Sequence, residues 1–327
     1  MFFHVDSRSP WNRSSANGFR CVQYLTRDKA TAGTLSRPVP PPLGRDYGKE
    51  TPVSDEVFND WLRILYSYDQ TELNAVVEES DESSDYWRKE KVTFDAAYGG
   101  ERMIAYLFLP KETKPPYQTV IYFPGISAVG VRSFEGRPHR AFTDFVIMSG
   151  RALVYPVYKG TYEREIVGGR PDKPEKEPIA YRDWIIQFSK DLKRSIDYLE
   201  TRPDIDDERI AYYGLSWGAW LGPIMMAVEE RIKSGILLAG GFPVWKLAPA
   251  VDPINFAPRV KVPVLTIGGE HDYIFPVETS ARPMHDFLGS ADADKELKIY
   301  DGGHGDLSRQ IRGDVLGWLD RYFGPVD

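Results

Sequence analysis

The stretch Arg209-Ile-Ala-Tyr-Tyr-Gly-Leu-Ser-Trp-Gly218 predicts a β-strand that runs into a tight turn. The turn is the pentapeptide Gly214-Leu-Ser216-Trp-Gly218, which matches Gly-x-Ser-x-Gly, and an apolar helical run follows from Ala219 to Val228. The pattern alone is weak, because composition produces it often, and a surface Gly/Ser turn is the alternative. Between a strand and a helix, however, it predicts a strained turn that projects the Ser216 hydroxyl above a sheet.

Short apolar strands alternate with amphipathic helices along most of the chain, which is typical of a parallel sheet covered on both faces. Earlier runs at Lys91 to Phe94 and Met103 to Leu109 flank paired glycines and predict an antiparallel pair. The clearest helices run from about Tyr181 to Glu200 and from Ile311 to Tyr322. Further strands are predicted at Thr119 to Phe123, Ala152 to Pro156, Arg209 to Tyr213, Gly235 to Ala239, Val262 to Ile267 and Glu296 to Tyr300. We therefore predict an α/β fold whose mostly parallel sheet has an antiparallel start and helices on both faces.

A candidate base is needed near Ser216, because a serine hydroxyl is a poor nucleophile at neutral pH until a histidine removes its proton. His304 lies in Asp301-Gly-Gly-His-Gly305, directly after the last predicted strand, where a glycine loop can place the imidazole over the sheet edge. His304 is therefore the predicted base. Of the other four histidines, His4 lies in the N-terminal tail and His139 in an Arg-rich loop. His285 lies in a predicted surface helix, and His271 is interpreted as a solvated loop residue, with a substrate contact as the alternative.

A carboxylate must orient the imidazole and stabilise its protonated form. The apolar strand from Val262 ends in Gly268-Gly-Glu-His-Asp272, which offers Glu270 and Asp272. We predict Asp272 as the acid and keep Glu270 in reserve. The alternative for Asp272 is capping of its own loop, a common use of aspartate.

Ser216, Asp272 and His304 occur in this order, and each follows a separate predicted strand. In that order, and in the Gly-Gly-x-His-Asp loop at 268–272, the chain resembles α/β-hydrolases of the dienelactone hydrolase, acetyl xylan esterase and prolyl-oligopeptidase-like group. The resemblance spans roughly residues 85–325. Dienelactone hydrolase itself uses a cysteine nucleophile, whereas this chain has a serine there, so the resemblance implies a serine carboxylesterase with an acyl-enzyme intermediate.

The resemblance also implies an oxyanion hole made of two backbone N–H groups. One would belong to Trp217, and the other to Ile126 after the strand that ends near Pro124. Many relatives have His-Gly where this chain has Pro124-Gly125, and a plain chain turn is the alternative there. Tyr158 and Tyr162 are candidate substrate contacts in a loop near the pocket, with a solvated loop as the alternative.

Two other functions share the same residues. A peptidase of the acyl-aminoacyl or prolyl-oligopeptidase type uses the same triad, but usually carries a propeller that about 80 N-terminal residues cannot build. The second alternative is a hydrolase fold without catalytic activity that serves as a binding module. The presence of all three triad residues argues against it. No Cys-x-x-Cys or His-Glu-x-x-His pattern indicates a metal, and we expect no cofactor.

The composition limits the partners. The chain has 41 basic and 48 acidic residues, without the basic excess that nucleic-acid binders use. It contains no apolar run of membrane-spanning length, a single cysteine, Cys21, and no signal-peptide pattern at its start. We expect a cytoplasmic protein with a small ester substrate, no nucleic-acid or membrane partner, and possible homo-oligomers.

The sequence predicts three parts of unequal length. Residues 1–50 are predicted to be a tail and Pro-rich linker, in which Ser9 to Val22 is similar to the closing motif of formylglycine-generating-enzyme-like domains. That resemblance implies the remnant of an upstream domain, and an unrelated tail is the alternative. Residues 51–84 are predicted to form a helical extension that packs on the core, with Ser54 as its N-cap, and residues 85–327 the catalytic domain.

Overall fold

A computed structural model describes residues 45–135, 140–166, 169–171, 174–305, 307 and 310–326. The tail motif at Ser9 to Val22 and the histidines His4 and His139 lie outside the described residues. The described strands are β1 (Val76–Asp81), β2 (Trp87–Asp95), β3 (Arg102–Pro110), β4 (Tyr117–Phe123), β5 (Ala152–Pro156), β6 (Ile205–Leu215), β7 (Ile232–Leu238), β8 (Val264–Gly269) and β9 (Lys295–Tyr300). The described α-helices are α1 (Asp55–Ile64), α2 (Arg140–Met148), α3 (Pro178–Glu200), α4 (Trp217–Val228), α5 (Arg282–Phe287) and α6 (Ile311–Phe323).

The strands form one sheet in the order β1-β2-β3-β5-β4-β6-β7-β8-β9. The pairs from β1 to β5 are antiparallel, and every pair from β5 through β4 to β9 is parallel. The predicted mostly parallel sheet with an antiparallel start is confirmed. The carboxyl ends of β4, β6, β8 and β9 therefore lie at one edge, where loops in open α/β sheets bind ligands.

Helices cover both faces of this sheet, as predicted. Buried side chains of α3 and α4 belong to the apolar core on one face, and those of α2 and α6 belong to the core on the other. The β2–β3 connection turns through Gly99 and Gly100, whose φ angles of 65° and 61° need glycine. The paired glycines thus form the turn that the sequence indicated.

Helix α1 begins as predicted, because the Ser54 hydroxyl accepts a hydrogen bond from the Val57 N–H at 3.4 Å. The helix packs on the core through Phe58, whose ring meets Phe256 edge-on. No stretch between this helix and β2 has the sequence pattern of a strand, yet Val76–Asp81 pairs with β2 at the edge of the sheet. All six residues of β1 are exposed, so the strand has no apolar alternation that could reveal it.

A buried ion pair joins the loop after β5 to α3. Asp191 is fully buried, and its carboxylate accepts hydrogen bonds from the Arg164 guanidinium at 2.6 Å, the Lys159 N–H at 2.8 Å and the Tyr98 hydroxyl at 2.7 Å. Two turns earlier on α3, the indole N–H of Trp184 donates to the carbonyl of Lys159 at 2.9 Å. The loop at 157–165 and the first half of α3 are therefore fixed to each other.

Replacement of Asp191 by alanine is expected to lower the free energy of unfolding by about 3–5 kcal/mol, because Arg164 would remain buried without its carboxylate. The loss should be seen as a lower midpoint in urea. Asp191→Asn retains the hydrogen-bonding shape and should lose less. As the control, Asp60→Asn breaks the exposed Asp60–Arg63 pair and should leave the midpoint nearly unchanged. Equal midpoints for Asp191→Ala and the control would show that the pair does not stabilise the fold.

Candidate active site

Ser216 lies at the sharp turn between β6 and α4. Its backbone has φ 53° and ψ −104°, a conformation that a residue with a Cβ rarely adopts. The turn is held by two backbone hydrogen bonds: the Ser216 N–H donates to the Leu238 carbonyl at 2.8 Å, and the Gly218 N–H donates to the Pro124 carbonyl at 3.2 Å. The sheet thus maintains a strained geometry that aims the hydroxyl away from the strand.

The two glycines of the pentapeptide are required by close packing. A Cβ placed on Gly214 would lie 2.4 Å from the carbonyl group of Gly218, and one placed on Gly218 would lie 2.3 Å from the carbonyl oxygen of Phe123. The backbones of Gly218 and Phe123 cannot move away from such a methyl group unless α4 shifts from the sheet. The Gly-x-Ser-x-Gly pattern therefore has a steric origin here.

Gly218→Ala is expected to destabilise the fold by about 1–3 kcal/mol and to impair the site, because the new methyl group forces α4 away from Phe123. Denaturation midpoints and turnover of a test ester would measure the two effects. Gly317→Ala in α6 is the matched control, since a Cβ there meets open space. That variant should be slightly more stable, as alanine favours helix over glycine. A Gly218→Ala protein as stable as the control would contradict the packing argument.

The structure brings Ser216, His304 and Asp272 together. The Ser216 Oγ is 2.7 Å from Nε2 of His304, and Nδ1 of His304 is 2.7 Å from Oδ2 of Asp272. With Nδ1 protonated, the imidazole donates to the carboxylate and its Nε2 accepts from the serine hydroxyl. The side chains of Asp272 and His304 are 1% and 11% exposed, so little solvent screens their interaction.

Asp272 caps its own loop and also faces the imidazole of His304. Its Oδ1 accepts hydrogen bonds from the N–H groups of Ile274 at 2.8 Å and Phe275 at 2.9 Å, while Oδ2 faces His304. The loop-capping contacts and the contact with His304 thus use different oxygens of one carboxylate. The reserve candidate, Glu270, is exposed to solvent.

Asp272→Asn is expected to lower kcat by roughly 10⁴-fold with the fold retained, because the imidazole would lose the carboxylate that fixes its tautomer. Glu270→Gln is the matched control, an acid-to-amide change two residues away, and should leave kcat close to that of the parent protein. Steady-state kinetics on one ester, with circular dichroism to confirm folding, would compare them. A large loss in Glu270→Gln alone would reassign the acid.

The other histidines do not join this group among the described residues. His271 faces Asp301, with its Nε2 3.3 Å from the carboxylate. His285 lies partly buried in α5, where burial lowers the pKa of its imidazole. Neither side chain lines the cavity above Ser216.

The predicted oxyanion donors both lie beside Ser216. Trp217 is the first residue of α4, and the first N–H groups of a helix have no partner within it. Ile126 opens a 3₁₀ turn after β4, and the preceding Gly125 is so close that a Cβ on it would lie 3.6 Å from the Ser216 Cβ. Both residues line the same cavity as Ser216. The positive end of the α4 dipole adds to the attraction for an oxyanion there.

The structure does not bring Tyr158 and Tyr162 to the cavity, so their predicted substrate contact is corrected. Both are buried in the core: Tyr158 stacks on Phe123 with ring centroids 4.0 Å apart, and the Tyr162 hydroxyl lies 3.2 Å from that of Tyr155. Burial raises the pKa of Tyr162 to about 12, so this hydroxyl stays protonated at neutral pH. The tract after β5 packs inward, so these two tyrosines contact neither the cavity nor solvent.

The cavity above Ser216 has a volume of about 520 Å³, and seven of its sixteen lining residues are Trp, Tyr or Phe. Most residues of this wall carry no sequence signal that marks them as part of a binding site. Trp184 lies on the apolar stripe of α3 and reads as a core residue, while Trp245 lies in a long connection after β7 that has no motif. The full lining is Gly125, Ile126, Ser127, Phe142, Arg170, Tyr181, Trp184, Leu215, Ser216, Trp217, Trp220, Trp245, Ile274, Phe275, His304 and Gly305.

The described part of the chain has neither a membrane-spanning helix nor a cluster of metal-ligating side chains. None of its helices combines the length and apolar character needed to cross a bilayer. Among the same residues, no three His, Cys, Asp or Glu side chains cluster in a way that could hold a metal ion.

The parallel sheet, the strained turn after β6 and the residues that gather at the ends of β8 and β9 define an α/β-hydrolase. The chain belongs to the dienelactone hydrolase family, whose sequence model matches residues 103–314. A dienelactone is a cyclic ester, so the chain is classed with the carboxylic ester hydrolases.

Solved structures share this fold over most of their length. Acetyl xylan esterase 1 from a Thermoanaerobacterium species matches with a TM-score of 0.66 and 18% identity, over 86% of this chain and 96% of that one. An acetyl xylan esterase from a Paenibacillus species matches with a TM-score of 0.64 and 20% identity, over 84% and 96%. A glucuronoyl esterase from Solibacter usitatus matches with a TM-score of 0.59 and 16% identity, over 82% and 92%. At these identities the likeness establishes the common fold.

Proposed function

We propose that this protein is a serine carboxylesterase that acts through an acyl-enzyme. The observation that carries the proposal is the continuous hydrogen-bonded chain from the Ser216 hydroxyl through His304 to buried Asp272, at 2.7 Å for each link. Such a chain is what a serine needs to act as a nucleophile at neutral pH. The family model and the esterases among the similar structures support the same class of reaction.

In the first half-reaction, Ser216 Oγ attacks the carbonyl carbon of the ester, and its proton passes to Nε2 of His304. The carbonyl π bond opens to give a tetrahedral intermediate with a negatively charged oxygen. The N–H groups of Trp217 and Ile126 are the donors that stabilise this oxygen. Asp272 stabilises the imidazolium that forms beside it. Collapse of the intermediate breaks the bond to the alcohol oxygen, which leaves with the proton from His304.

In the second half-reaction, water attacks the acyl group on Ser216. His304 removes a proton from the water as it attacks, and then returns a proton to Ser216 Oγ as the acyl–oxygen bond breaks. The products are one carboxylic acid and one alcohol, and the enzyme regains its starting state. Every proton in this cycle is carried by His304, and no step requires a metal or organic cofactor.

Ser216→Ala is expected to reduce ester turnover by roughly 10⁶-fold, because loss of the nucleophile removes the covalent route. Hydrolysis of p-nitrophenyl acetate and butyrate measures the effect. Ser67→Ala, which removes an exposed hydroxyl at the end of α1, is the matched control and should retain full activity. A fluorophosphonate probe should add its mass to the peptide that contains Ser216. Ester turnover that survives in Ser216→Ala, or labelling at another serine, would overturn the serine mechanism.

A further inference from the structure

The cavity above Ser216 is walled by four tryptophans, Trp184, Trp217, Trp220 and Trp245. They form two groups. Trp184 and Trp217 contact each other with ring centroids 5.5 Å apart, and Trp220 meets Trp245 edge-on at 5.9 Å. Aromatic walls of this kind offer both apolar area and ring-to-ring contacts to a bound ring.

Part of this wall faces solvent. Trp245 is 49% exposed, Ile126 46% and Ile274 42%, and all three line the cavity. Large apolar side chains clustered at an exposed surface mark a binding site, because water makes their exposure unfavourable. A substrate that covers them with apolar groups is stabilised by the removal of this area from water.

The volume gives a second constraint. About 520 Å³ falls within the range of roughly 300–1,000 Å³ that holds drug-sized ligands. An acetyl group with its two carbons would leave most of the tryptophan wall uncovered. The acetyl group named for two of the similar structures would therefore leave space for a larger group from the other half of the ester.

We propose that the cavity selects esters that carry a bulky aromatic group, and that this group is seated against Trp220 and Trp245. The proposal rests on the proposed esterase function and adds the substrate class. The aromatic ring can belong to the acyl half or to the alcohol half of the ester, and the two arms of the experiment separate these sources.

The position of Trp245 depends on a segment near the start of the described chain. The Arg45 guanidinium donates to the Trp245 carbonyl at 3.2 Å and to Asp252 at 2.8 Å, and it also pairs with Glu50. The Tyr47 hydroxyl donates to the carbonyl of Pro243. Arg45 and Tyr47 thus hold both flanks of the connection that carries Trp245. We assign Arg45 as a positioning residue for this wall.

The experiment compares four ethyl or acetyl esters by acid release in a pH-stat. The acyl arm pairs ethyl propanoate with ethyl 3-phenylpropanoate, and the alcohol arm pairs ethyl acetate with 2-phenylethyl acetate. In each phenyl ester the ring is remote from the carbonyl, so intrinsic reactivity changes little. We expect kcat/KM to rise by roughly 10-fold or more for the phenyl member of one arm. Ethyl 3-cyclohexylpropanoate and 2-cyclohexylethyl acetate test whether an aromatic ring is preferred over an aliphatic one.

Trp245→Ala should reduce the phenyl-to-small kcat/KM ratio of the favoured arm towards one, chiefly by raising KM for the phenyl ester. The conservative Trp220→Phe variant should reduce the ratio less. Tyr86→Ala is the matched control: this ring is also 49% exposed but lies outside the cavity lining, and its loss should leave every ratio unchanged.

Arg45→Ala should raise KM for the same phenyl ester while kcat changes little, and Arg45→Lys should recover part of the loss. Arg63→Ala, which removes an exposed arginine from α1, controls for a general effect of this segment. An equal loss of kcat on small and phenyl esters would show that Arg45 only supports the fold.

The outcomes separate the two proposals. Ratios at or below one in both arms, a preference for cyclohexyl esters, or ratios unaffected by Trp245→Ala and Trp220→Phe would overturn the aromatic subsite while esterase activity remains. Absence of Ser216-dependent hydrolysis of every ester would instead overturn the proposed function.

Discussion

The close approach of α4 to β4 is the contact on which the rest of the site depends. Gly218 packs against the carbonyl of Phe123 and donates its N–H to Pro124, so the first turn of α4 lies directly on the end of β4. This contact holds the strained backbone of Ser216. It also places the N–H of Trp217 and the turn that begins at Ile126 on the same side of the hydroxyl. Ser216 and the two proposed oxyanion donors are thus fixed by one packing contact between backbones.

Asp272 and His304 are brought together by the pairing of β8 with β9. The loops that leave these parallel strands continue to hydrogen-bond after the sheet ends: the N–H of Glu270 donates to the Tyr300 carbonyl at 2.8 Å, and that of His271 donates to the Gly302 carbonyl at 3.0 Å. Asp272 and His304 follow directly on these two loops. Their 2.7 Å contact is therefore a continuation of the strand register, and the exposed position of Glu270 follows from the same register.

The parts of the site that sequence could predict are those with a local cause. The pentapeptide around Ser216 reflects steric limits within a few residues, and the glycine-rich loops before Asp272 and around His304 mark the ends of apolar strands. Those side chains meet where predicted. Trp245 and Trp220 gave no such signal, because an aromatic residue in a cavity wall has the same sequence pattern as one in the core. Edge strand β1 could not be predicted for a different reason. Both of its faces are exposed to solvent, so its sequence lacks the alternation of apolar and polar residues.

Tyr158 shows the opposite error: it was predicted to contact substrate and lies in the core. The tract around it reads as a polar loop near the pocket, yet long-range contacts with Phe123 and with α3 draw it into the core. Whether a tyrosine faces a ligand or a neighbouring helix is decided by packing partners that are distant in sequence. Local sequence patterns therefore predicted the positions of Ser216, Asp272 and His304 better than those of the residues that line the cavity.

The clamp that Arg45 forms on the Trp245 connection has a thermodynamic consequence. Binding equilibria that share a structural element are linked. If a substrate binds against Trp245 as proposed, its affinity is linked to the Arg45 contacts, because Arg45 donates to the backbone that carries Trp245. Residues 1–44 adjoin Arg45 covalently. A ligand of that segment that shifts Arg45 would therefore change the apparent affinity of the cavity for its ester, and the ester would change the affinity of that ligand in return.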